Sequence, residues 1–333
     1  MMEGQFCNPL IRSIDTSPDP YILKHNDRYY YCLSNKTNTE IWVWTSATLE
    51  GLDATEDKRL IWKAPERGNY SKQVWAPELH FIKDNWYVYF TADNGKNKNH
   101  RLYVVKSETN DVFGEYGQPH KIQWQNEDFW AIDGTIFSNE FDGELYMIWS
   151  GWPGNSDGLQ NLYIAAMDTP LTLKGSRRLL STPEYSWEGW INEGPSVLQR
   201  NGRIYVTYSA HQSWSSKYCL GLLHTEGYAD LLDPTSWKKQ ANPILKADHQ
   251  EKIFGPGHNS FFKGPDDTDW IAYHAKTTHK KGWKDRKACV QPVTWDEADL
   301  PHVGRPSSWN NEANSNKIRV TQIQPSRSRR FKP

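Results

Sequence analysis

The chain has 333 residues and a formal net charge of −1 at pH 7, a length suited to a single large β fold. The near-zero charge gives no global field that would draw nucleic acid or an anionic membrane, and no apolar run of about 18 residues is present to span a bilayer. Aromatic residues make up 14% of the chain, including 17 Trp. In an otherwise hydrophilic sequence so many indoles suit sugar binding as well as a core, since sugar C–H faces pack on the ring.

Taken in order, the chain opens on MMEGQFCNPLI, which has neither a basic n-region nor an apolar h-region. The expectation is a cytoplasmic protein, or a secreted one whose leader has been removed. Cys7, Cys32, Cys219 and Cys289 form no CxxC pair, and free thiols are expected. A repeating unit then begins: an acidic or polar residue among Pro or Gly, an apolar strand, a tight turn, and an aromatic-rich second strand. Its first copy is Ser17-Pro18-Asp19-Pro20-Tyr21-Ile22-Leu23, with a turn at Asn26-Asp27 and a strand at 28–31. The second is Trp75-Ala76-Pro77-Glu78-Leu79, with a turn at Asp84-Asn85 and a strand at 86–90. The third is Ile132-Asp133-Gly134-Thr135, with a turn at Asp142-Gly143 and a strand at 145–149. The fourth is Asn192-Glu193-Gly194-Pro195, with a turn at Asn201-Gly202 and a strand at 204–208. The fifth is Gly257-His258-Asn259-Ser260, with a turn near Asp266-Asp267 and a strand at 270–273. A third strand follows in each copy, at 41–45, 102–106, 162–167, 218–223 and 287–293. Asp-Gly and Asn-Gly suit two-residue hairpins, whose central residues need positive φ.

The openings at 19, 78, 133, 193 and 258 are 59, 55, 60 and 65 residues apart. Five copies of at least three antiparallel strands predict an all-β fold, a five-bladed β-propeller over residues 1–306, with a polar tail over 307–333. A two-sheet sandwich would not explain five equivalent openings. The first strand of each blade lies nearest a propeller's axis, so Asp19, Glu78, Asp133, Glu193 and His258 are expected around a common centre. Any one acid before Pro or Gly is ordinarily a turn residue or cap. Several at equivalent positions would repel one another in a partly dry pocket, which raises some pKa values and suits a general acid working beside a general base. Glycoside hydrolysis needs that pairing.

At these residues the sequence resembles glycoside hydrolase family 43. The resemblance runs from about Asn8 to Pro306 and rests on Ser-Pro-Asp-Pro-Tyr-Ile at 17–22, Val-Trp-Ala-Pro-Glu at 74–78, Ala-Ile-Asp-Gly-Thr at 131–135, Asn-Glu-Gly-Pro at 192–195 and Gly-Pro-Gly-His-Asn-Ser at 255–260. It implies an inverting mechanism. Asp19 would be the general base that activates water, Glu193 the general acid, and Asp133 the carboxylate that orients the acid and keeps its pKa high. Only the resemblance places Glu78 outside the catalytic set. It further implies that Arg286 reaches the bound sugar and that His258 approaches a hydrated axial ion, a structural Ca²⁺ held through water, because calcium prefers oxygen ligands. Trp75 is the first candidate for a substrate platform, followed by Trp130, Trp152 and Trp190. No cofactor is expected beyond that ion.

Within the family, the spacing of Asp19, Asp133 and Glu193 and the segments 149–152 and 208–210 look most like the α-L-arabinofuranosidase branch, acting on arabinan or arabinoxylan. A β-xylosidase or an endo-arabinanase is the alternative. Some of the xylosidases carry an added β-sandwich, for which the residues after Pro306 are too few. The competing readings outside this chemistry are a sugar-binding propeller without turnover, a protein-interaction propeller, and a lyase or transferase. The sole partner expected is carbohydrate. The tail ends Ser-Arg-Ser-Arg-Arg-Phe-Lys-Pro and is expected to lie as a loosely held terminus rather than a basic arm.

Overall fold

A computed structural model describes residues 7–309. It is almost wholly β, arranged as five blade sheets whose strands run outward in chain order, followed by a small two-stranded sheet of Thr294–Trp295 and Pro301–His302. Blade 1 comprises β1 (Tyr21–His25), β2 (Arg28–Ser34), β3 (Glu40–Ser46) and β4 (Lys58–Lys63). Blade 2 comprises β5 (Lys72–Ile82), β6 (Asn85–Asp93), β7 (Arg101–Lys106) and β8 (His120–Lys121). Blade 3 comprises β9 (Ala131–Ser138), β10 (Leu145–Gly151), β11 (Asn161–Thr169) and β12 (Thr172–Ser181). Blade 4 comprises β13 (Asn192–Arg200), β14 (Arg203–Ala210), β15 (Cys219–Glu226) and β16 (Lys238–Lys239). Blade 5 comprises β17 (Phe254–Lys263), β18 (Asp269–Lys276) and β19 (Arg286–Pro292).

The first strands contact one another in a closed ring, β1 with β5, β5 with β9, β9 with β13, β13 with β17, and β17 with β1. The five-bladed propeller expected from the repeats is therefore the fold. Closure is completed by the N-terminal segment, which lies along the open edge of β19. Leu10 N–H donates to Ala288 O (2.8 Å), Ser17 N–H to Arg286 O (2.8 Å), and the Asn8 side-chain amide exchanges two hydrogen bonds with Val290. An unpaired sheet edge is thereby covered.

The apolar cores lie between blades. Ile22, Tyr31 and Leu33 of blade 1 pack with Trp270, Ala272 and Val290 of blade 5, and four similar clusters fill the other seams. Burial of this surface at roughly 25 cal/mol per Å² is the main force holding the ring together. Cys32, Cys219 and Cys289 are buried free thiols within it.

Two turns differ from expectation. The blade 2 turn is Lys83-Asp84 (φ 49° and 61°), one residue earlier than predicted, because Asn85 already pairs with Ile82. The blade 3 connection runs from 139 to 144, closed by Gly143 N–H on Asn139 O. Asn26-Asp27 (φ 47° and 58°) and Asn201-Gly202 (φ 51° and 75°) have the two left-handed residues of a type I′ hairpin. The start of the expected tail follows blade 5: Ser307 N–H donates to Gln291 Oε1 (2.9 Å) and Trp309 Nε1 to Lys252 O (3.2 Å). The basic end of that tail lies outside the described residues. Among the described residues no helix is long and apolar enough to cross a membrane.

Candidate active site

Near its axial end each innermost strand has a left-handed residue, Asp19 (φ 49°), Ala76 (φ 44°), Asp133 (φ 55°), Gly194 (φ 52°) and His258 (φ 47°), and β5 and β17 have a second, Gln73 (φ 50°) and Gly255 (φ 54°). In blades 2 to 5 the pairing register slips at the same place, so the feature is a repeated β-bulge at the axis. Such backbone is unfavourable for residues other than Gly, and a neighbouring blade holds it in three cases. Asp19 N–H donates to His274 Nδ1 (3.2 Å), Asp133 N–H to Thr91 Oγ1 (3.1 Å), and His258 N–H to Ser209 Oγ (2.7 Å).

This alignment corrects the expected equivalence of the five openings. Asp19, Asp133 and His258 are true equivalents. Glu193 stands one residue before its bulge and Glu78 two residues beyond Ala76. Because side chains alternate along a strand, those offsets send the two glutamates to different surroundings. Glu78 pairs with His80 (Oε2–Nε2, 2.8 Å) and joins none of the other carboxylates.

Asp19, Asp133, Glu193, Arg286 and His258 do converge. Asp19 is 17% exposed, and its Oδ1 is approached by Arg286 Nη1 (3.1 Å), His274 Nδ1 (3.2 Å) and His258 Nδ1 (3.5 Å). Burial opposes its ionisation, but Arg286, His258 and His274 outweigh it and hold the carboxyl far below the usual range. Asp133 is 7% and Glu193 8% exposed. Burial pushes Asp133 up to about 7, countered by His258 and reinforced by the charges of Glu193 and Asp19. Glu193 is also raised to about 7, by burial first; Tyr218 opposes the rise and Asp19 adds to it. The two titrate as one coupled system. Asp133 Oδ2 accepts a hydrogen bond from Gly194 N–H (3.1 Å), next to Glu193 in the chain.

Two residues that sequence reasoning missed connect the base to the acid. Tyr218 Oη donates to Glu193 Oε1 (2.8 Å), and the Tyr218 ring stacks on His274 (centroids 5.5 Å apart, planes 7° apart), which touches Asp19. Burial lowers the His274 imidazole to about 4, so it is neutral near pH 7. Both residues sit where a second strand ends or a third begins, the same position as Arg286. A search for polar groups at those strand ends, not only at first-strand openings, would have found them. A third missed group, Glu188, is fully buried and accepts from Asn192 Nδ2 (2.9 Å), Tyr208 Oη (2.9 Å) and Lys239 Nζ (2.8 Å). It fixes the start of β13, and with it Glu193.

The tryptophan candidates divide. Trp130 and Trp152 are buried, 4% and 2% exposed, and stack on each other at 4.5 Å, so they serve packing and cannot meet sugar. Trp75 is half-buried, stacks on His100 (4.1 Å), and packs against the cluster that includes Ile132, the neighbour of Asp133. Trp190 is 68% exposed. Among the described residues no group of three or more His, Cys, Asp or Glu side chains is placed to hold a metal. His258 offers a nitrogen facing Asp19, a donor set that does not suit a directly ligated Ca²⁺.

The family model for Glycosyl hydrolases family 43 matches residues 6–301. The chain is 36% identical over 276 residues to the extracellular exo-α-(1→5)-L-arabinofuranosidase of Streptomyces chartreusis, covering 81% of this chain and 82% of that one. It is 34% identical over 318 residues to the Streptomyces avermitilis protein of the same name, covering 90% of this chain but only 63% of that longer relative. The crystal structure of α-L-arabinofuranosidase from Lactobacillus brevis superposes with a TM-score of 0.85 at 36% identity, covering 92% of this chain and 98% of the other. With its five ordered blade motifs and a family match over nearly its whole length, this chain belongs to glycoside hydrolase family 43.

Proposed function

We propose that this protein is an inverting α-L-arabinofuranosidase that releases L-arabinofuranose from arabinan- or arabinoxylan-type chains. The observation that carries the mechanism is the opposed state of two carboxylates in one pocket. Asp19 is held ionised chiefly by the Arg286 guanidinium, with His258 beside it, while Glu193 is pushed up to about 7 by burial and keeps a proton near neutrality. The arabinofuranoside assignment comes from the relatives named above.

In this reading Asp19 Oδ2, which Arg286, His274 and His258 leave alone, receives a proton from water as the water oxygen attacks the anomeric carbon. The glycosidic C–O bond breaks as Glu193 gives its proton to the leaving oxygen. One water is consumed, one sugar is freed, and the two carboxyls exchange protonation states before resetting through solvent. Asp133 titrates together with Glu193, so that the pair shares a proton near neutrality, and it braces Gly194 beside the acid. Asp19 and Glu193 make no direct hydrogen bond and are joined through the stacked rings of Tyr218 and His274, an arrangement in keeping with the water that inversion places between base and sugar. Arg286 would also hydrogen-bond sugar hydroxyls, and Trp75 would stack on a sugar face. No step is routed through a metal; an ion near His258 would be held through water. The relatives' extracellular naming favours the secreted form of the compartment expectation.

The test is turnover of aryl α-L-arabinofuranoside against aryl β-D-xyloside. Faster release from the arabinofuranoside, lost in Asp19→Ala, is the expected result. Faster release from the xyloside would replace the sugar assignment with the β-xylosidase reading.

A further inference from the structure

Among the described residues seven large hydrophobic side chains are exposed, and three of them are tryptophans: Trp190, Trp214 and Trp283. All three lie at the end of the propeller where first strands open and third strands begin, the end that carries Asp19, Asp133 and Glu193. Trp214 stands between β14 and β15 of blade 4, and Trp283 between β18 and β19 of blade 5. They meet across the seam edge to face, with ring centroids 5.3 Å apart and planes at 69°.

The pair is held in place. Trp283 Nε1 donates to Ser213 Oγ (3.1 Å) and Gly282 N–H to Trp214 O (2.9 Å). Lys276, only 1% exposed at the end of β18, spends its ammonium on Trp214 O (2.9 Å) and Lys280 O (2.6 Å). Burying a lysine to fasten two surface loops costs desolvation, and the result is two indoles, 37% and 53% exposed, that face water in a set geometry.

The bases of the same two loops reach the reacting groups. The blade 4 loop ends at Tyr218, which donates to Glu193. The blade 5 loop ends at Arg286, whose Nε donates to Trp283 O (3.2 Å) while its Nη1 holds Asp19 (3.1 Å). The indole pair therefore stands beside both the general acid, through Tyr218, and the general base, through Arg286, on the rim that a chain extending from the scissile bond would cross.

We propose that Trp214 and Trp283 form a rim subsite that stacks a glycosyl unit on the leaving-group side of the scissile bond, so that the protein recognises an oligo- or polysaccharide rather than a lone glycoside. This rests on the glycosidase reading of the site. Flat, oriented indoles match the C–H face of a sugar ring, and their exposure supplies apolar area that the bound sugar would cover.

The test compares kcat/KM for α-1,5-linked arabinopentaose with that for methyl α-L-arabinofuranoside, as a ratio, in the parent, Trp214→Ala, Trp283→Ala and Trp283→Phe. Each alanine variant is expected to lower the ratio about 5- to 10-fold, chiefly through a higher KM for the pentaose, and the phenylalanine variant to regain part of it. An unchanged ratio, or equal losses on both substrates, would overturn the proposal. So would a solution dimer of the parent that Trp283→Ala dissociates, since the pair would then be a protein interface. If the parent cleaves only xylosides, the sugar assignment fails, and the ratio is read on xylopentaose and methyl β-D-xyloside. If neither series turns over, the glycosidase reading fails, and the ratio of Kd values for pentaose and methyl glycoside still decides the rim.

Discussion

Replacing Tyr218 by Phe removes one oxygen from the site and leaves its ring stacked on His274. The lost group is the donor to Glu193 Oε1 at 2.8 Å. A hydrogen bond to an ionised group contributes about 1.5–3 kcal/mol. At 1.36 kcal/mol per pKa unit, the carboxyl should rise by about 1–2 units. The sign follows from the donor: an O–H stabilises the ionised form, so its removal favours the protonated acid. Glu193 must be protonated to act, and activity is lost as pH rises through its pKa. The alkaline limb of kcat/KM should therefore move upward from about 7 in the parent. The assay is kcat/KM between pH 4 and 10 on an arabino-oligosaccharide, whose sugar leaving group needs the proton. The same profile on an aryl glycoside with a good leaving group should show a smaller loss of rate. A limb that stays in place or moves down would refute the role given to Tyr218.

Arg286→Ala removes the strongest attraction that holds Asp19 ionised; kcat/KM should fall by about 10²-fold or more, and an acid limb absent from the parent above pH 4 should emerge in the pH–rate profile. Glu193 has a raised folded-state pKa, so its contribution to stability is present below the unfolded pKa near 4 and is lost as pH rises through about 7. Glu193→Gln should therefore melt higher than the parent at pH 8, by about 3 kcal/mol or several degrees, with the difference vanishing near pH 4 in thermal melts. At Gly194, with φ 52°, an added Cβ would meet His258 Nδ1 at 3.1 Å. Gly194→Ala should cost about 1–3 kcal/mol in denaturant unfolding and lower kcat by displacing both Glu193 and His258.

The blades were legible because their chemistry repeats. Asn26-Asp27 and Asn201-Gly202 are turns only certain residues can make, and the aromatic second strands keep their pattern around the ring. The fourth strands of blades 2 and 4 were not legible: His120–Lys121 and Lys238–Lys239 are two residues long, polar and peripheral, so they have no alternation to read. The blade 5 edge is covered instead by the segment carrying Asn8 and Ser17, a pairing across the whole chain that no local pattern encodes. In the site, Asp19, Asp133 and Glu193 stood out as acids at repeat openings. Glu78 stood out equally, and only the bulge at Ala76 shows why it belongs elsewhere. Tyr218 and His274 were hidden for the opposite reason: in a strand a tyrosine or histidine reads as core, and its partner is set by the neighbouring blade. Trp130 and Trp152 had the right residue type and place in the chain, but packing claimed them.

The central claim is that Asp19 and Glu193 act on opposite sides of the scissile bond, one through water. It is tested most directly by following the anomer first released from an aryl α-L-arabinofuranoside by proton NMR, before mutarotation. β-L-Arabinofuranose is expected to appear first and then to equilibrate. Release of the α-anomer first would mean retention and a carboxylate that attacks the sugar itself, which would contradict the roles given to both residues.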